Sequence, residues 1–357
     1  MLYVIAGVGL VLALGSGPAH GYEIWVANQG LNTIHVIDGA SLKVVAEIPA
    51  GSKPHNIAFT RDFRRAYVSN VGSHNVTVID ARARAVIATI SGGKVAHGVN
   101  LSPDDRLLYV TNSGERTVLV VDTATFQPVK TIPVGEVPAV AAFTRDGRKA
   151  YVTNVRDGTL SVIDVARGEV VGTILDLPGA IVLGMAPSGE KLYVAQGMAH
   201  RYAVVDTRTD RVLISSAAGT DPHSVTLPPD GKTAWFLNRL SNDLTVVDGV
   251  TDRVIRTVPG VGDKPDIGDF APDGRRLFVS LRGQAVTGDP ALLSGKEPGR
   301  AGRLRPPRGR SPWRDCEAVS GRPVGPRPSR PGGRKIGLTK GTGRYIKEVP
   351  RNVRVLH

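Results

Sequence analysis

Leu108-Tyr-Val-Thr-Asn112 and Ala150-Tyr-Val-Thr-Asn154 are two copies of one apolar motif that ends on a polar residue. The same motif starts at residues 24, 66, 192 and 234, and a degenerate copy starts at residue 277. The first five steps are 42 residues long and the last is 43. A second motif, Val-Ile/Val-Asp, recurs in the same register and ends at Asp38, Asp80, Asp122, Asp164, Asp206 and Asp248. Two motifs in one register indicate an internal repeat.

Each repeat divides into four short β-rich runs, here called A to D, which in the second repeat are residues 55–60, 66–70, 75–80 and 85–90. Turn sequences such as Arg-Asp-Gly-Arg join A to B. Runs B, C and D are apolar almost throughout, which is typical of sheets covered on both faces. The period and the strand count predict an all-β fold, a β-propeller of four-stranded blades.

The number of blades depends on the two ends of the repeat region. The chain starts with runs B, C and D at residues 23–48 and has no run A in front of them. Five complete repeats follow, and a sixth stops after its first two runs, 266–271 and 277–281. We therefore predict a seven-bladed design that is incomplete at the C-terminus. In the alternative, residues 266–271 serve as strand A of the first sheet and close a ring of six blades.

The motif Tyr-Val-Thr-Asn at 109–112 and 151–154, together with Pro-His at 54–55 and 222–223, resembles the YVTN β-propeller repeat family. The resemblance covers about residues 22–281. It extends to the wider group of haem-d1-binding propellers and lactonase-like propellers. These relatives imply the same architecture and very different activities, so the resemblance predicts the fold and leaves the chemistry open.

The N-terminus predicts export. Residues 1–14 are apolar apart from glycines, which is too short a run to span a bilayer and is typical of the core of a signal peptide. Ala19-His20-Gly21 is a small-x-small cleavage site. We expect residues 1–21 to be a signal peptide, the protein to be periplasmic or secreted, and no membrane span to remain after cleavage. An uncleaved anchor is the alternative.

The C-terminal region has a different composition. Residues 1–299 hold 29 basic and 29 acidic residues, whereas residues 300–357 hold 16 basic and 3 acidic ones and the only cysteine, Cys316. The excess charge of +13 therefore belongs to the tail and does not indicate a nucleic-acid partner. We expect a propeller at 22–298 and a disordered Arg/Pro/Gly-rich tail at 299–357. The abrupt stop inside a repeat favours a reading-frame shift over a genuine anion-binding tail.

One face of the propeller collects the side chains that could bind a ligand. The turn before strand A and the B–C turn emerge on the same face of a blade, so histidines and arginines there should meet near the axis. The predicted binding residues are His55, His97 and His223 before or at strand A, and Arg116, Arg156, Arg201 and Arg239 in B–C turns. Imidazoles and guanidinium groups suit an anion or a metal ion.

A structural interpretation competes with this one, since Pro-His can be part of the repeat and the histidine can bind backbone alone. His74 and His200 lie in B–C turns and are open to the same interpretation. The aspartates that end run C and the asparagines that end run B are expected to be structural, because short polar side chains there can bond to turn backbone. No catalytic triad, zinc spacing or phosphate loop is present in the sequence.

The function predicted from the sequence is an exported, non-catalytic binding propeller. Its axial face would bind a small anionic ligand, a cofactor or a protein partner, and nucleic acid is not an expected partner. The first alternative is a haem-d1-type or metal-binding propeller in which an axial histidine ligates iron. The second is a lactonase-like enzyme, which would need a carboxylate cluster that binds a metal.

Overall fold

The protein is described by a computed structural model, which covers residues 10–14, 21–282 and 353–356. The first two sheets contain β1 Leu10–Leu14, β2 Tyr22–Asn28, β3 Thr33–Asp38 and β4 Val44–Pro49, then β5 Pro54–Phe59, β6 Arg65–Asn70, β7 Asn75–Asp80 and β8 Ala85–Ser91. The next two contain β9 Ala96–Leu101, β10 Leu107–Asn112, β11 Thr117–Asp122 and β12 Pro128–Pro133, then β13 Pro138–Phe143, β14 Lys149–Asn154, β15 Thr159–Asp164 and β16 Glu169–Ile174.

The remaining sheets continue the same order. They contain β17 Ala180–Met185, β18 Lys191–Gln196, β19 Arg201–Asp206 and β20 Arg211–Ala217, then β21 Pro222–Thr226, β22 Thr233–Asn238, β23 Asp243–Asp248 and β24 Val254–Pro259, and finally β25 Pro265–Phe270, β26 Leu277–Leu281 and β27 Val353–Leu356. A short 3-10 helix, Gly197–Ala199, precedes β19. All pairings are antiparallel between neighbours in each sheet.

The sheets are arranged as blades around an axis. Inner strands contact the inner strand of the next sheet along the series β1, β5, β9, β13, β17, β21 and β25, and β25 in turn contacts β1. Side chains also join the first and last sheets, because Ile24 and Val26 pack against Ile267 and Phe278. The predicted all-β propeller of four-stranded blades is confirmed.

The blade count follows from the strands at the two ends of the chain. Within the described residues six sheets have four strands and the last has three, so the number of complete blades fits the six-bladed alternative. The pairing differs from that alternative, since β25 pairs with β26 and β1 lies beside β2. The seven-bladed design stays a prediction.

The structure explains why the motif Tyr-Val-Thr-Asn recurs, since its threonine joins one blade to the next. The Thr111 hydroxyl accepts a hydrogen bond from the Gly98 amide at 2.8 Å and donates to the Ala139 carbonyl of the following blade at 2.7 Å. Thr153 contacts Val140 and Ile181 in the same way. These bonds are buried, so they hold neighbouring inner strands in register.

The tyrosine of the motif also joins neighbouring blades, at a point farther from the axis. The Tyr151 hydroxyl donates to the Asp210 carboxylate, which also pairs with Lys149 at 2.7 Å. Burial and the adjacent Asp210 carboxylate raise the pKa of Tyr151 far above its usual range, so this hydroxyl stays a donor. Tyr193 contacts Asp252 in the same manner.

The aspartates and asparagines at the strand ends have the structural role that was predicted. The Asp38 carboxylate accepts hydrogen bonds from the Ser41 amide and hydroxyl, and Asp122 accepts the equivalent bonds from Thr125. The Asn154 side chain accepts from the Gly135 amide and donates to Ser161. Each of these side chains stabilises its own turn or a neighbouring loop by hydrogen bonds.

Two sequence predictions concern residues at the ends of the chain. Residues 1–9, 15–20, 283–352 and 357 lie outside the described residues, so the signal peptide and the disordered tail stay predictions. Two strands are described within these end regions. Leu10–Leu14 occupies the position of run A in the first sheet, and Val353–Leu356 pairs with β26. Among the described residues no helix is long and apolar enough to cross a membrane.

Candidate functional site

In the six inner strands β5, β9, β13, β17, β21 and β25, the second residue lies at one common region near the axis. In β5, β9 and β21 this residue is His55, His97 and His223, and in β25 it is Asp266. The equivalent residues of β13 and β17 are Ala139 and Ile181. We call the cluster of His55, His97, His223, Asp266, Arg239 and Arg282 the axial mouth.

His55 and His97 form a pair of contacting rings whose centroids are 4.1 Å apart and whose planes are tilted by 45°. His97 Nδ1 lies 2.9 Å from the Ala139 carbonyl oxygen. Because a carbonyl oxygen only accepts hydrogen bonds, the proton of neutral His97 is on Nδ1 and its Nε2 is an acceptor. The structure therefore confirms that these two histidines meet, as their repeat position predicts.

His223 and Asp266 form the second half of the axial mouth. His223 Nε2 is 3.4 Å from Asp266 Oδ1, and the same oxygen is 3.2 Å from Arg239 Nη1. Arg282 Nε approaches the other oxygen of Asp266 at 3.5 Å. Arg239 also pairs through Nε with Asp221 at 3.0 Å. The carboxylate of Asp266, which is 1% exposed, thus organises two guanidinium groups and one imidazole.

Burial keeps the three imidazoles uncharged near neutral pH. It lowers the pKa of His97 to about 4, although the bond to Ala139 acts in the opposite direction. Burial holds the pKa of His55 well below its usual value, and His97 and Arg282 add to this effect. The pKa of His223 is lowered in the same way by burial, Arg239 and Arg282. The positive charge of the mouth therefore comes from its arginines alone.

The imidazoles retain unused hydrogen-bonding capacity. His55 Nδ1 and His223 Nδ1 are buried and have no hydrogen-bond partner among the described residues. Ser224 Oγ and Thr226 Oγ1, farther along β21, are in the same situation. Buried polar groups are normally paired by protein or by ordered water, so an unpaired group needs an explanation.

The side chains of the mouth fit a metal ion or a haem poorly. Over the described part of the chain no group of three or more His, Cys, Asp or Glu residues is placed to hold a metal. A haem would need an imidazole nitrogen for its iron, which His55 or His223 could offer, and cations for its carboxylates. Of the two cations at the mouth, Arg239 is held by both Asp221 and Asp266, and Arg282 is drawn to Asp266 through Nε. We therefore derive no step through a haem.

Of the arginines predicted from the sequence, the structure brings only Arg239 to the axial mouth. Arg116 and Arg156 lie on either side of Glu136, at 3.2 and 3.8 Å, and are more than half exposed. Arg201 begins β19 instead of lying in a turn, and its guanidinium donates to Ser215 on β20. These three arginines lie away from the axial mouth because their repeat positions differ from that of Arg239.

His74 and His200 have the structural role that was considered for Pro-His. Each lies in a B–C turn with a positive φ, 58° and 56°. His74 Nδ1 accepts a hydrogen bond from the Val95 amide, and His200 Nδ1 accepts from the Asp221 amide, both at 3.1 Å. Asn32 binds the Lys53 amide in the same position of the first repeat. These side chains stabilise the loop that leads into the next blade.

The sequence analysis missed Asp266 and Arg282 as site residues. The repeat itself contains the signal for Arg282, since Arg239 and Arg282 are both the first residue after strand B. Asp266 occupies the place that histidine has in three other repeats. Both residues therefore stand at repeat positions that other copies of the repeat also fill with site residues.

Comparison with known proteins supports the architecture. Residues 24–140 match the family described as the cytochrome D1 heme domain. Hydrazine synthase of Kuenenia stuttgartiensis is 20% identical, with a TM-score of 0.67, over 74% of this chain and 90% of that one. A functionally unknown protein from Desulfotomaculum acetoxidans is 15% identical, with a TM-score of 0.64, over 74% and 89%.

At these identities the two solved structures share the fold alone with this chain. No curated protein matches the sequence at a significant level. The family match covers the first sheet from Ile24 onwards, all of the second and third sheets, and the first residues of β13 in the fourth, and it includes His55 and His97. The predicted resemblance to the haem-d1 propellers is thus confirmed: this chain is a β-propeller that resembles the cytochrome d1 haem domain over residues 24–140.

Proposed function

We propose that the chain is an exported binding propeller that holds a small anionic ligand at its axial mouth and performs no reaction on it. The observation that carries the proposal is the convergence of Arg239 and Arg282 on one buried carboxylate, beside three neutral imidazoles. The Arg282 side chain is 41% exposed, and among the described residues only its Nε lies within ion-pair distance of a carboxylate. Its two terminal nitrogens therefore present a fork that suits a carboxylate or an oxyanion.

The imidazoles support the same proposal. Neutral imidazole rings can donate or accept a hydrogen bond without adding charge to the site. Because they are uncharged, an anion would pair mainly with Arg282, while Asp266 keeps the guanidinium in place. Asp266 also limits affinity, since its negative charge partly cancels the two arginines.

Isothermal titration calorimetry with citrate, phosphate and acetate tests the proposal, and Arg282→Gln is the informative variant. We expect the wild-type protein to bind at least one of these anions and Arg282→Gln to bind it at least tenfold more weakly. Arg116→Gln is the matched control, because Arg116 is an exposed arginine on the same face that pairs with Glu136. Equal anion affinity in all three proteins, or no binding by the wild type, would contradict the proposal.

A haem-binding propeller is the second candidate, and the family match over residues 24–140 favours it. His55 and His223 are the residues that could ligate iron, because each has a buried Nδ1 without a partner in the described part of the chain. The terminal nitrogens of Arg282 would pair one haem carboxylate, and pairing by Arg239 would require it to leave Asp221 or Asp266. Addition of haem followed by visible absorption spectroscopy distinguishes the candidates: a ligated-iron spectrum that His55→Ala or His223→Ala abolishes would favour haem.

A further inference from the structure

The polar groups of the axial mouth are of two opposite kinds, hydrogen-bond donors and hydrogen-bond acceptors. The donors are the terminal nitrogens of Arg282, whose Nε alone lies within ion-pair distance of a carboxylate of the described chain. A guanidinium group only donates, so these nitrogens call for an acceptor such as the oxygens of an anion. The acceptors belong to the imidazole rings, where the position of the proton decides which nitrogen accepts.

His223 places one acceptor at the mouth. Its Nε2 lies 3.4 Å from Asp266 Oδ1, and a carboxylate oxygen that already accepts from Arg239 has only lone pairs to offer. The proton of the neutral ring is therefore assigned to Nε2, and the lone pair to Nδ1. This Nδ1 belongs to a side chain that is 8% exposed and has no hydrogen-bond partner in the described part of the chain. A buried acceptor of this kind needs a donor.

His97 places a second acceptor at the mouth. The bond between its Nδ1 and the Ala139 carbonyl assigns the proton to Nδ1, so Nε2 carries the lone pair. The lone pairs of His97 and His223 repel the oxygens of a carboxylate. An anion made of acceptors alone would therefore satisfy Arg282 and leave the imidazoles unpaired, whereas a ligand with an anionic group and a donor would satisfy both.

The charges of the mouth favour a ligand with a single negative charge. The two guanidinium groups are offset by two carboxylates, those of Asp221 and Asp266, at 3.0 to 3.5 Å. Arg239 pairs with both carboxylates, so Arg282 is the guanidinium with terminal nitrogens to offer. One carboxylate matches this group, and a second would find no further cation within the mouth as its described residues define it.

The remaining inner strands give the mouth an apolar side. In β13 and β17 the residues at the histidine position are Ala139 and Ile181, which are 2% and 5% exposed. They lie between His97 and His223 in the series of inner strands. An aliphatic group fits against these two side chains, whereas a charged or polar group there would lose its hydration without gaining a partner.

We propose that the ligand of the axial mouth is the anion of a 2-hydroxymonocarboxylic acid with a short aliphatic side chain. The proposal rests on the proposed function, because it names the class of anion that this site binds. The carboxylate accepts from the terminal nitrogens of Arg282, and the hydroxyl donates to His223 Nδ1. Because Arg282 and His223 both lie against Asp266, at 3.5 and 3.4 Å, the two ligand groups must be close together. Adjacent carbon atoms meet this requirement, and the aliphatic group then lies towards Ala139 and Ile181.

The test is calorimetric titration of the full chain with two acids that differ in one hydroxyl group, 2-hydroxy-3-methylbutanoate and 3-methylbutanoate. We expect the hydroxy acid to bind about tenfold more tightly, since the other acid leaves the buried His223 Nδ1 unpaired. Phosphate serves as an anion that is not a carboxylate. This comparison uses the wild-type protein, so it does not depend on the folding of any variant.

Three variants assign the effect to its residues. His223→Ala removes the acceptor and places alanine where another repeat has Ala139, and we expect it to bind the two acids within about threefold of each other. Arg282→Gln should weaken both acids by a similar factor and preserve their ratio. His74→Asn is the matched control, because Asn32 has the same role as His74 in the first repeat, and it should change neither affinity.

The possible failures of the two proposals are distinguishable. Equal affinity of the wild-type protein for the two acids, or binding of phosphate with neither acid, would overturn this inference and leave the proposed function standing. A preference for the hydroxy acid that persists in His223→Ala, or that His74→Asn abolishes, would overturn it as well. Failure of the wild-type protein to bind any of the anions would overturn the proposed function itself.

Discussion

Burial of three imidazoles in one mouth couples the protein to pH. The folded-state pKa of His97 is about 4, and those of His55 and His223 also lie well below the usual value of 6.5. The folded protein therefore binds fewer protons than the unfolded chain whenever the pH falls below about 6.5. The contribution of these histidines to stability is present at neutral pH and is lost as the pH falls towards 4.

We accordingly expect the thermal midpoint to be constant between pH 8 and 7 and to fall between pH 6.5 and 4.5. His97 alone should account for about 2 kcal/mol of unfolding free energy between pH 7 and 5, at about 1.4 kcal/mol for each pKa unit. Circular dichroism melts over this range measure the effect, and His97→Asn should reduce the slope. A midpoint that is unchanged down to pH 5 would show that the imidazoles are not held neutral by the fold.

Asp266 is the carboxylate that pairs with both arginines of the axial mouth. Asp266→Asn would leave Arg282 without a described carboxylate partner and Arg239 with Asp221 alone. Loss of one partner from a buried ionic cluster costs about 3 kcal/mol. We expect chemical denaturation to show this loss, and Asp230→Asn to cost less than about 0.5 kcal/mol, because that carboxylate is 54% exposed. Equal stability of the two variants would contradict the arrangement.

At the scale of the element, three inner strands, β9, β13 and β17, are positioned by a hydroxyl from the blade before them. Thr111 bonds to Gly98 within its own sheet and to Ala139 in the next. If the hydroxyl is removed, the buried Gly98 amide loses its partner, and the Ala139 carbonyl keeps only the bond from His97 Nδ1. The same position is serine in the second repeat, where the Ser69 hydroxyl donates to the His97 carbonyl at 2.6 Å.

We therefore expect Thr111→Val to lower the free energy of unfolding by about 2 kcal/mol, since two buried backbone groups lose a partner. Thr131→Val on the outer strand β12 is the matched control and should change stability by less than about 0.5 kcal/mol, because Thr131 is exposed. Urea unfolding measures both variants. A loss of similar size in the control would assign the effect to β-propensity instead of to the bond between blades.

At the scale of the whole molecule, stability depends on the contact between the first and last sheets. The Arg276 guanidinium donates to the Gly39 carbonyl at 3.1 Å and lies over the rings of Tyr22 and Phe278, at 5.2 and 5.8 Å from their centroids. The hydrogen bond joins residues that are 237 positions apart in the chain. The apolar cluster around Ile24 and Ile267 lies at the same junction.

Arg276→Ala should accordingly loosen this junction more than any other. We expect a loss of about 2 kcal/mol, from one hydrogen bond and two cation–π contacts, and faster hydrogen exchange in β2 and β26 than in β10 and β14. Arg275→Ala, an exposed neighbour, is the control. Uniformly faster exchange in all blades, or no change, would show that the junction is not the point at which the ring opens.

The sequence by itself determined the repeat, the strands and the structural role of the residues that end them. These features depend on local backbone preference and on burial of both faces of every sheet, and both act in the same way in each copy of the repeat. For the same reason the sequence predicted that His55 and His97, which are equivalent residues of adjacent repeats, would meet. The resemblance to the d1-type propellers also depends on these repeated residues.

Only the tertiary structure decided which charged residues form the mouth. Arg239 and Arg282 come from different repeats and converge because the inner strands approach one axis, whereas Arg201 follows its own strand to Ser215. Asp266 gains its importance from neighbours that are far away in sequence. Pairing of Leu10–Leu14 with β2 also depends on where the ring has a vacant inner edge. A repeat pattern describes one blade, and these features arise from contacts between blades.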